Sequence, residues 1–73
     1  MIKDMIEFFT IHNSLTVFVE FNMHFDAKNF YRMLENAFKE EKIIEFYDQN
    51  NDLYMIRTSD FIGYKVKNIE GDK

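Results

Sequence analysis

The apolar residues that follow Phe25 recur with the period of an α-helix, and no other stretch shows that period as clearly. Asp26 is the predicted N-cap, because a carboxylate there accepts free backbone N–H groups. Phe25 and Phe30 occupy the two positions of a hydrophobic staple. The pattern predicts one amphipathic helix that ends near Glu41 or Lys42. Its predicted buried stripe consists of Ala27, Phe30, Met33, Leu34, Ala37 and Phe38.

Residues 15–23 alternate strictly between apolar and polar, which predicts a strand. The preceding segment fits two patterns, since Ile2, Met5, Ile6 and Phe9 form a helical stripe whereas Ile6, Phe8 and Thr10 form one face of a strand. We predict a strand over about residues 5–12, because the turn-forming pair Asn13 and Ser14 would make it the hairpin partner of the strand that follows.

The register of this first hairpin depends on the length of its turn. A two-residue turn would place Phe9 opposite Phe18 and Glu7 opposite Glu20. The two glutamates would repel each other in that pairing, so a longer loop with a different register stays open.

The second half of the chain predicts three more strands. Residues 43–47 and 53–58 flank a polar turn at 48–52 and form a second hairpin. A turn at 58–60 leads to a last strand over 61–66. Gly63 within that strand indicates a bulge or the close approach of another group.

The predicted order is therefore β-β-α-β-β-β, in a single small α+β domain of residues 1–69 with a flexible tail at 70–73. One helix covers one face of an antiparallel sheet and leaves the other face open. At 73 residues the chain is near the lower end of sizes that fold alone. It has no cysteine, so disulfides cannot stabilise it.

Composition narrows the classes of function. The chain is 47% hydrophobic and 18% aromatic, and its formal net charge is −4. The negative charge weighs against general binding to nucleic-acid phosphates. We expect a cytoplasmic protein, because the N-terminus lacks a signal-peptide pattern and every apolar stretch is interrupted well short of membrane-spanning length.

The aromatic residues exceed what one helix-covered sheet face needs, and this favours a non-enzymatic interaction protein. Phe9 and Phe18 are predicted to lie on the open face of the sheet. Tyr47 and Tyr54 would be cross-strand neighbours on the same side as Ile43 and Ile56. A homodimer or a protein of a host cell is the expected partner, and an ordinary half-exposed aromatic face is the alternative.

A weaker hypothesis is a module that binds single-stranded nucleic acid. Arg57, Lys65 and Lys67 would supply positive charge, with Lys39 and Lys42 nearby. Tyr64 and Tyr54 would supply stacking surfaces. A third hypothesis is a small acidic inhibitor of a host protein, which would present the following carboxylates: Glu40, Glu41, Glu45, Asp48, Asp52 and Asp60.

Catalytic and metal-binding patterns are weak, so we expect no enzyme, no cofactor and no metal site. Asp48, Asn50 and Asp52 match the start of a calcium loop, but Leu53 stands where that loop needs glycine and Ser59 where it needs glutamate. The cluster is more typical of a hairpin turn. The two histidines bracket the best strand, too far apart to share a metal.

The C-terminal half of the chain, from residues 43–47 through residues 60–66, resembles the closing strands of small uncharacterised proteins from phages and prophages of low-GC bacteria. The bias toward Lys, Ile, Asn and Phe, without Pro, Cys or Trp, is similar to those proteins as well. The resemblance covers about half of the chain and implies a phage or mobile-element origin. It carries no active-site residue onto this sequence.

Overall fold

A computed structural model describes residues 2–70. It confirms the α+β fold and the order β-β-α-β-β-β. A short 3₁₀ turn, Thr58–Asp60, lies before the last strand. The elements are β1 (Ile2–Phe9), β2 (Ser14–Phe21), α1 (Ala27–Glu40), β3 (Ile43–Tyr47), β4 (Leu53–Arg57) and β5 (Gly63–Glu70).

The strands are divided between two antiparallel sheets. One sheet has the order β2-β1-β5, and the other is the hairpin β3-β4. A backbone hydrogen bond from Gln49 N–H to the Phe18 carbonyl, 2.8 Å long, joins the hairpin turn to the edge of β2. The inner faces of both sheets and α1 enclose one hydrophobic core.

The first hairpin has a four-residue loop, so β1 lies earlier in the chain than predicted. The strand ends at Phe9, and Thr10 N–H donates to the Asn13 carbonyl at 2.8 Å to close the loop. Phe9 therefore lies opposite Ser14 and not opposite Phe18. The longer loop also separates the like charges, because Glu7 faces Thr16 and Glu20 faces Lys3.

The last strand begins and ends later than predicted. Phe61 and Ile62 precede β5, and the Ile62 N–H donates to the Phe9 carbonyl at 2.8 Å. A Cβ at Gly63 would meet nothing within 4 Å, so the expected close approach there is wrong. The register irregularity lies instead at the other end of β1, between Lys3 and Asp4. β5 includes residue 70, and residues 71–73 of the predicted tail lie outside the described part.

Helix α1 begins as predicted. Asp26 Oδ2 accepts the Asn29 N–H at 3.0 Å, and the staple rings of Phe25 and Phe30 meet edge to face with centroids 5.3 Å apart. Phe30, Leu34 and Ala37 are buried. Met33 is 40% exposed, so its assignment to the buried stripe is wrong. It lies at the edge of the helix face that the sheets cover.

The C-terminal end of α1 offers a test of backbone strain. Glu41 caps the helix in the left-handed conformation, at φ 54° and ψ 46°. This conformation costs a residue with a Cβ about 1–2 kcal/mol, and glycine avoids that cost. Glycine also makes the unfolded chain more flexible, so we expect Glu41→Gly to raise the free energy of unfolding by about 0.5–1 kcal/mol.

Urea denaturation followed by circular dichroism measures this change. Lys39→Gly is the matched control, because Lys39 is exposed within the last helical turn and glycine there should lower stability by about 1 kcal/mol. Equal losses for both variants would contradict the strain at Glu41.

Candidate functional site

A buried carboxylate joins three elements of the fold. Asp4 in β1 is 5% exposed. Its Oδ2 accepts the Tyr31 hydroxyl from α1, and its Oδ1 accepts Asn68 Nδ2–H from β5 at 2.8 Å. Burial first, and then the hydrogen bond to Asp4 and its negative charge, raise the pKa of Tyr31 above its ordinary value. The hydroxyl therefore stays protonated and keeps donating at neutral pH.

Both carboxylate oxygens of Asp4 already have hydrogen-bond partners within the chain. This network therefore links β1, α1 and β5 and stabilises the fold. The sequence interpretation did not single out Asp4. Its signal is positional: Asp4 alternates in phase with Ile6 and Phe8, which places a carboxylate on the buried face of β1. An inward-facing charge of this kind needs a partner from another element.

The outer face of the β3-β4 hairpin carries the largest group of exposed apolar side chains among the described residues. We call this surface the hairpin face. Its cross-strand pairs are Ile43 with Arg57, Glu45 with Met55 and Tyr47 with Leu53. The exposed fractions of its apolar members are 55% for Ile43, 55% for Tyr47, 50% for Leu53 and 63% for Met55.

The apolar surface continues from the hairpin face onto the helix. Met33 and Ile43 line one groove between α1 and β3. At the edge of this groove Lys42 Nζ and Glu40 Oε1 are 2.7 Å apart. Their hydrogen bond lowers the pKa of Glu40 and raises the pKa of Lys42, so both stay charged at neutral pH.

The predicted interface residues fall on different surfaces. Tyr47 belongs to the hairpin face. Tyr54 lies on the inner side of the hairpin, opposite Phe46, and stacks on that ring with a centroid distance of 5.9 Å. The predicted pairing of Tyr47 with Tyr54 is therefore wrong, and so is the expectation that Ile56 shares the exposed side, because Ile56 is buried.

Phe9 and Phe18 both lie on the outer face of the three-stranded sheet, as the alternation predicted. They are not adjacent, because Phe18 faces Met5 while Phe9 faces Ser14. Phe18 is only 37% exposed. Between them lie charged and polar side chains, including Glu7, so this face is more mixed than the hairpin face.

The residues proposed for nucleic acid do not form one surface. Arg57 is on the hairpin face, whereas Lys65 and Lys67 are on the outer face of the three-stranded sheet. Tyr64 points to the inner face of that sheet, where the centroids of its ring and the Phe38 ring are 4.8 Å apart. The stacking ring and the two lysines are therefore on opposite sides of β5.

The acidic turn at 48–52 uses its first carboxylate to hold its own backbone. Asp48 Oδ1 accepts the N–H groups of Asn50 and Asp52, each at 2.9 Å, while Asn51 adopts a left-handed conformation at φ 66°. This is the turn chemistry that the sequence indicated. Within residues 2–70, no group of three or more His, Asp or Glu side chains could hold a metal ion.

A cleft of about 610 Å³ lies between the edge of β2 and the hairpin turn. Phe25 and Tyr47 contribute apolar walls, and Glu20, Glu45 and Asp48 contribute carboxylates. The residues that line the cleft include no serine, threonine, cysteine or histidine.

No family model, curated protein or solved structure matches this chain. Within the described residues, no helix is long and apolar enough to cross a membrane.

Proposed function

We propose that this chain is a non-enzymatic interaction protein that associates with a second copy of itself through the hairpin face. The proposal rests on four apolar side chains of this face that are each at least half exposed: Ile43, Tyr47, Leu53 and Met55. Contiguous exposed apolar surface is typical of a protein–protein contact.

The charges of the hairpin face favour a second copy as the partner. Glu45 is in β3 and Arg57 is in β4, and both are exposed on this face. In a dimer with a two-fold axis, the hairpin faces of the two copies contact each other. Glu45 of one copy can then lie beside Arg57 of the other copy. The face is thus complementary to itself in both apolar surface and charge.

The size of the hairpin face sets the expected affinity. Its strands are five residues long, which is about 17 Å of extended chain. Even with Met33 included, such a surface is smaller than the roughly 800 Å² per partner of a standard stable interface. We therefore expect a reversible dimer with a dissociation constant in the micromolar range or weaker.

Sedimentation velocity over about 1 µM to about 1 mM protein tests the proposal. We expect the average mass to rise toward that of a dimer with concentration. Leu53→Lys places an unpaired charge among the apolar side chains of the contact and should weaken association at least about tenfold. Phe18→Lys, on the outer face of the other sheet, is the matched control and should leave association unchanged.

Circular dichroism at 222 nm should be the same for all three proteins. A monomer at every concentration would overturn self-association. Loss of association in Phe18→Lys with retention in Leu53→Lys would move the contact to the Phe9 and Phe18 surface.

A cytoplasmic location and a phage or mobile-element origin are parts of the same proposal, as is the accessory or host-modulating role that they suggest.

Single-stranded nucleic-acid binding and inhibition of a host protein by acidic side chains stay predictions. Arg57 and Tyr64 lie on different surfaces from the two lysines of β5. This separation weakens the hypothesis of nucleic-acid binding, which needs the charges and the stacking ring on one surface. For the inhibitor hypothesis, the acidic turn at 48–52 is a segment that could contact the host protein. The Asp48 carboxylate already accepts hydrogen bonds from the turn's own backbone.

A further inference from the structure

A groove of about 440 Å³ runs between β5 and α1, and it is separate from the hairpin face. Its lining residues are Tyr31, Arg32, Glu35, Tyr64 and Val66. Val66 pairs with the fully buried Ile6 and shares its side of the sheet, yet it is 40% exposed. The helix therefore covers the centre of the three-stranded sheet and leaves the inner side of β5 open.

The backbone beside this groove is an edge strand. β5 is eight residues long and pairs with β1 along one side, while no described strand lies along its other side. An edge strand presents a row of N–H and C=O groups that another extended chain can pair with. A groove between an edge strand and a helix is a geometry in which proteins bind extended segments by adding a strand.

The groove has a firm apolar floor. The Tyr64 ring packs against Phe38 and, at 6.4 Å between centroids, against Phe8. Burial first, and then the nearby charge of Glu35, raise the pKa of Tyr64, in keeping with a ring held inside the fold. Apolar side chains of an added strand would lie over Val66 and Tyr64, because side chains alternate between the two faces.

The opposite side of β5 is positively charged. Lys65 and Lys67 are exposed on the outer face. Glu7 lies beside Lys65 on the β1 side, whereas the neighbour of Lys67 is the uncharged Met5. Antiparallel pairing of β5 with a second β5 centred on Val66 would set Lys65 and Lys67 opposite each other twice, and such like-charge pairs are destabilising. The lysines thus disfavour a second copy in this register, and their positive charge favours carboxylates on an added strand.

We propose that β5 and α1 form a docking groove for an extended segment of another protein, which pairs with β5 as a fourth strand. The segment carries apolar side chains at alternate positions, facing Val66 and Tyr64, and carboxylates between them, facing Lys65 and Lys67. This inference goes beyond self-association and uses a different surface.

Designed peptides test the groove with the whole chain as receptor. The first probe is an end-capped peptide of about ten residues that alternates valine and glutamate, which matches the length of β5 and both of its faces. The second alternates valine and lysine. The third repeats the first with N-methyl groups on alternate residues, which removes backbone donors while keeping the side chains. Heteronuclear NMR titration at low salt reports both the affinity and the amides that shift.

We expect the valine–glutamate peptide to bind with shifts concentrated on β5 amides. The valine–lysine and N-methylated peptides should bind at least about tenfold more weakly. The double variant Lys65→Glu, Lys67→Glu should reverse the preference between the two unmethylated peptides. Leu53→Lys, on the hairpin face, should bind the first peptide as the unaltered chain does, so this test is independent of the dimer.

Three results of the peptide titrations would overturn the inference. They are absence of binding at millimolar peptide, equal binding of the N-methylated peptide, and displacement of the shifts from β5 to another element. Binding of an oligothymidylate to Lys65 and Lys67 that exceeds peptide binding would also overturn it, because the lysines would then serve a nucleic-acid surface.

Discussion

Replacing Phe8 by alanine is expected to lower the free energy of unfolding by about 3–5 kcal/mol. The side chain is fully buried at the centre of the core, and its ring contacts those of Phe38, Phe46, Phe61 and Tyr64. Alanine would leave a cavity that these rings, drawn from four segments, cannot fill together. A single core in a chain of this size rarely supplies more than about 3–5 kcal/mol, so most of the variant should be unfolded at 25 °C.

The adjoining residue provides the control for this prediction. Phe9 points to the outer face of the same strand, opposite Ser14 and Gly63. Phe9→Ala should cost about 1 kcal/mol or less, because its site opens to solvent and leaves no closed cavity. Urea denaturation followed by circular dichroism measures both. Similar losses for the two variants would contradict the assignment of Phe8 to the core and Phe9 to the surface.

Replacing Tyr31 by phenylalanine is expected to lower the free energy of unfolding by about 1.5–3 kcal/mol at neutral pH. The variant keeps the ring but leaves Oδ2 of the buried Asp4 without its donor from α1, while Asn68 continues to bind Oδ1. Tyr47→Phe is the matched control, since the Tyr47 side chain is exposed on the hairpin face. It should change stability by less than about 0.5 kcal/mol.

The same pair of variants predicts a pH dependence. The pKa of Tyr31 is raised in the folded chain, whereas in the unfolded chain it takes its ordinary value near 10. The unfolded state therefore loses this proton first as the pH rises, so the contribution of Tyr31 is complete below pH 10 and is lost above it. Tyr31→Phe lacks this loss. The stability difference between the unaltered chain and Tyr31→Phe should narrow progressively as the pH rises above about 10, and a constant difference would contradict the buried hydrogen bond.

The sequence pattern correctly predicted those features of the fold that depend only on residues close together in the chain. The cap at Asp26 and the staple of Phe25 with Phe30 are interactions within a few residues, and both are present. The alternation of residues 15–23 placed Val17, Val19 and Phe21 on the buried side of β2, because strand side chains alternate whatever the strand pairs with.

Register was harder to predict, because it depends on how each turn closes. In the second hairpin the turn holds all of residues 48–52, since Asp48 binds the N–H groups of Asn50 and Asp52. Leu53 thus pairs with Tyr47, and Tyr54 turns inward. A one-residue change in register exchanges the two faces of a strand, and for this reason the predicted tyrosine pair does not form.

By itself the sequence determined the order of elements, the face that most residues present and the position of the helix, since these follow from period and local hydrogen bonding. The tertiary structure decided the division into two sheets and the exposure of Met33 and of the hairpin face. It also decided the partners of Asp4, which come from positions 27 and 64 residues further along the chain. Contacts at such separations depend on how α1 and β5 pack against β1, and no local pattern encodes that geometry.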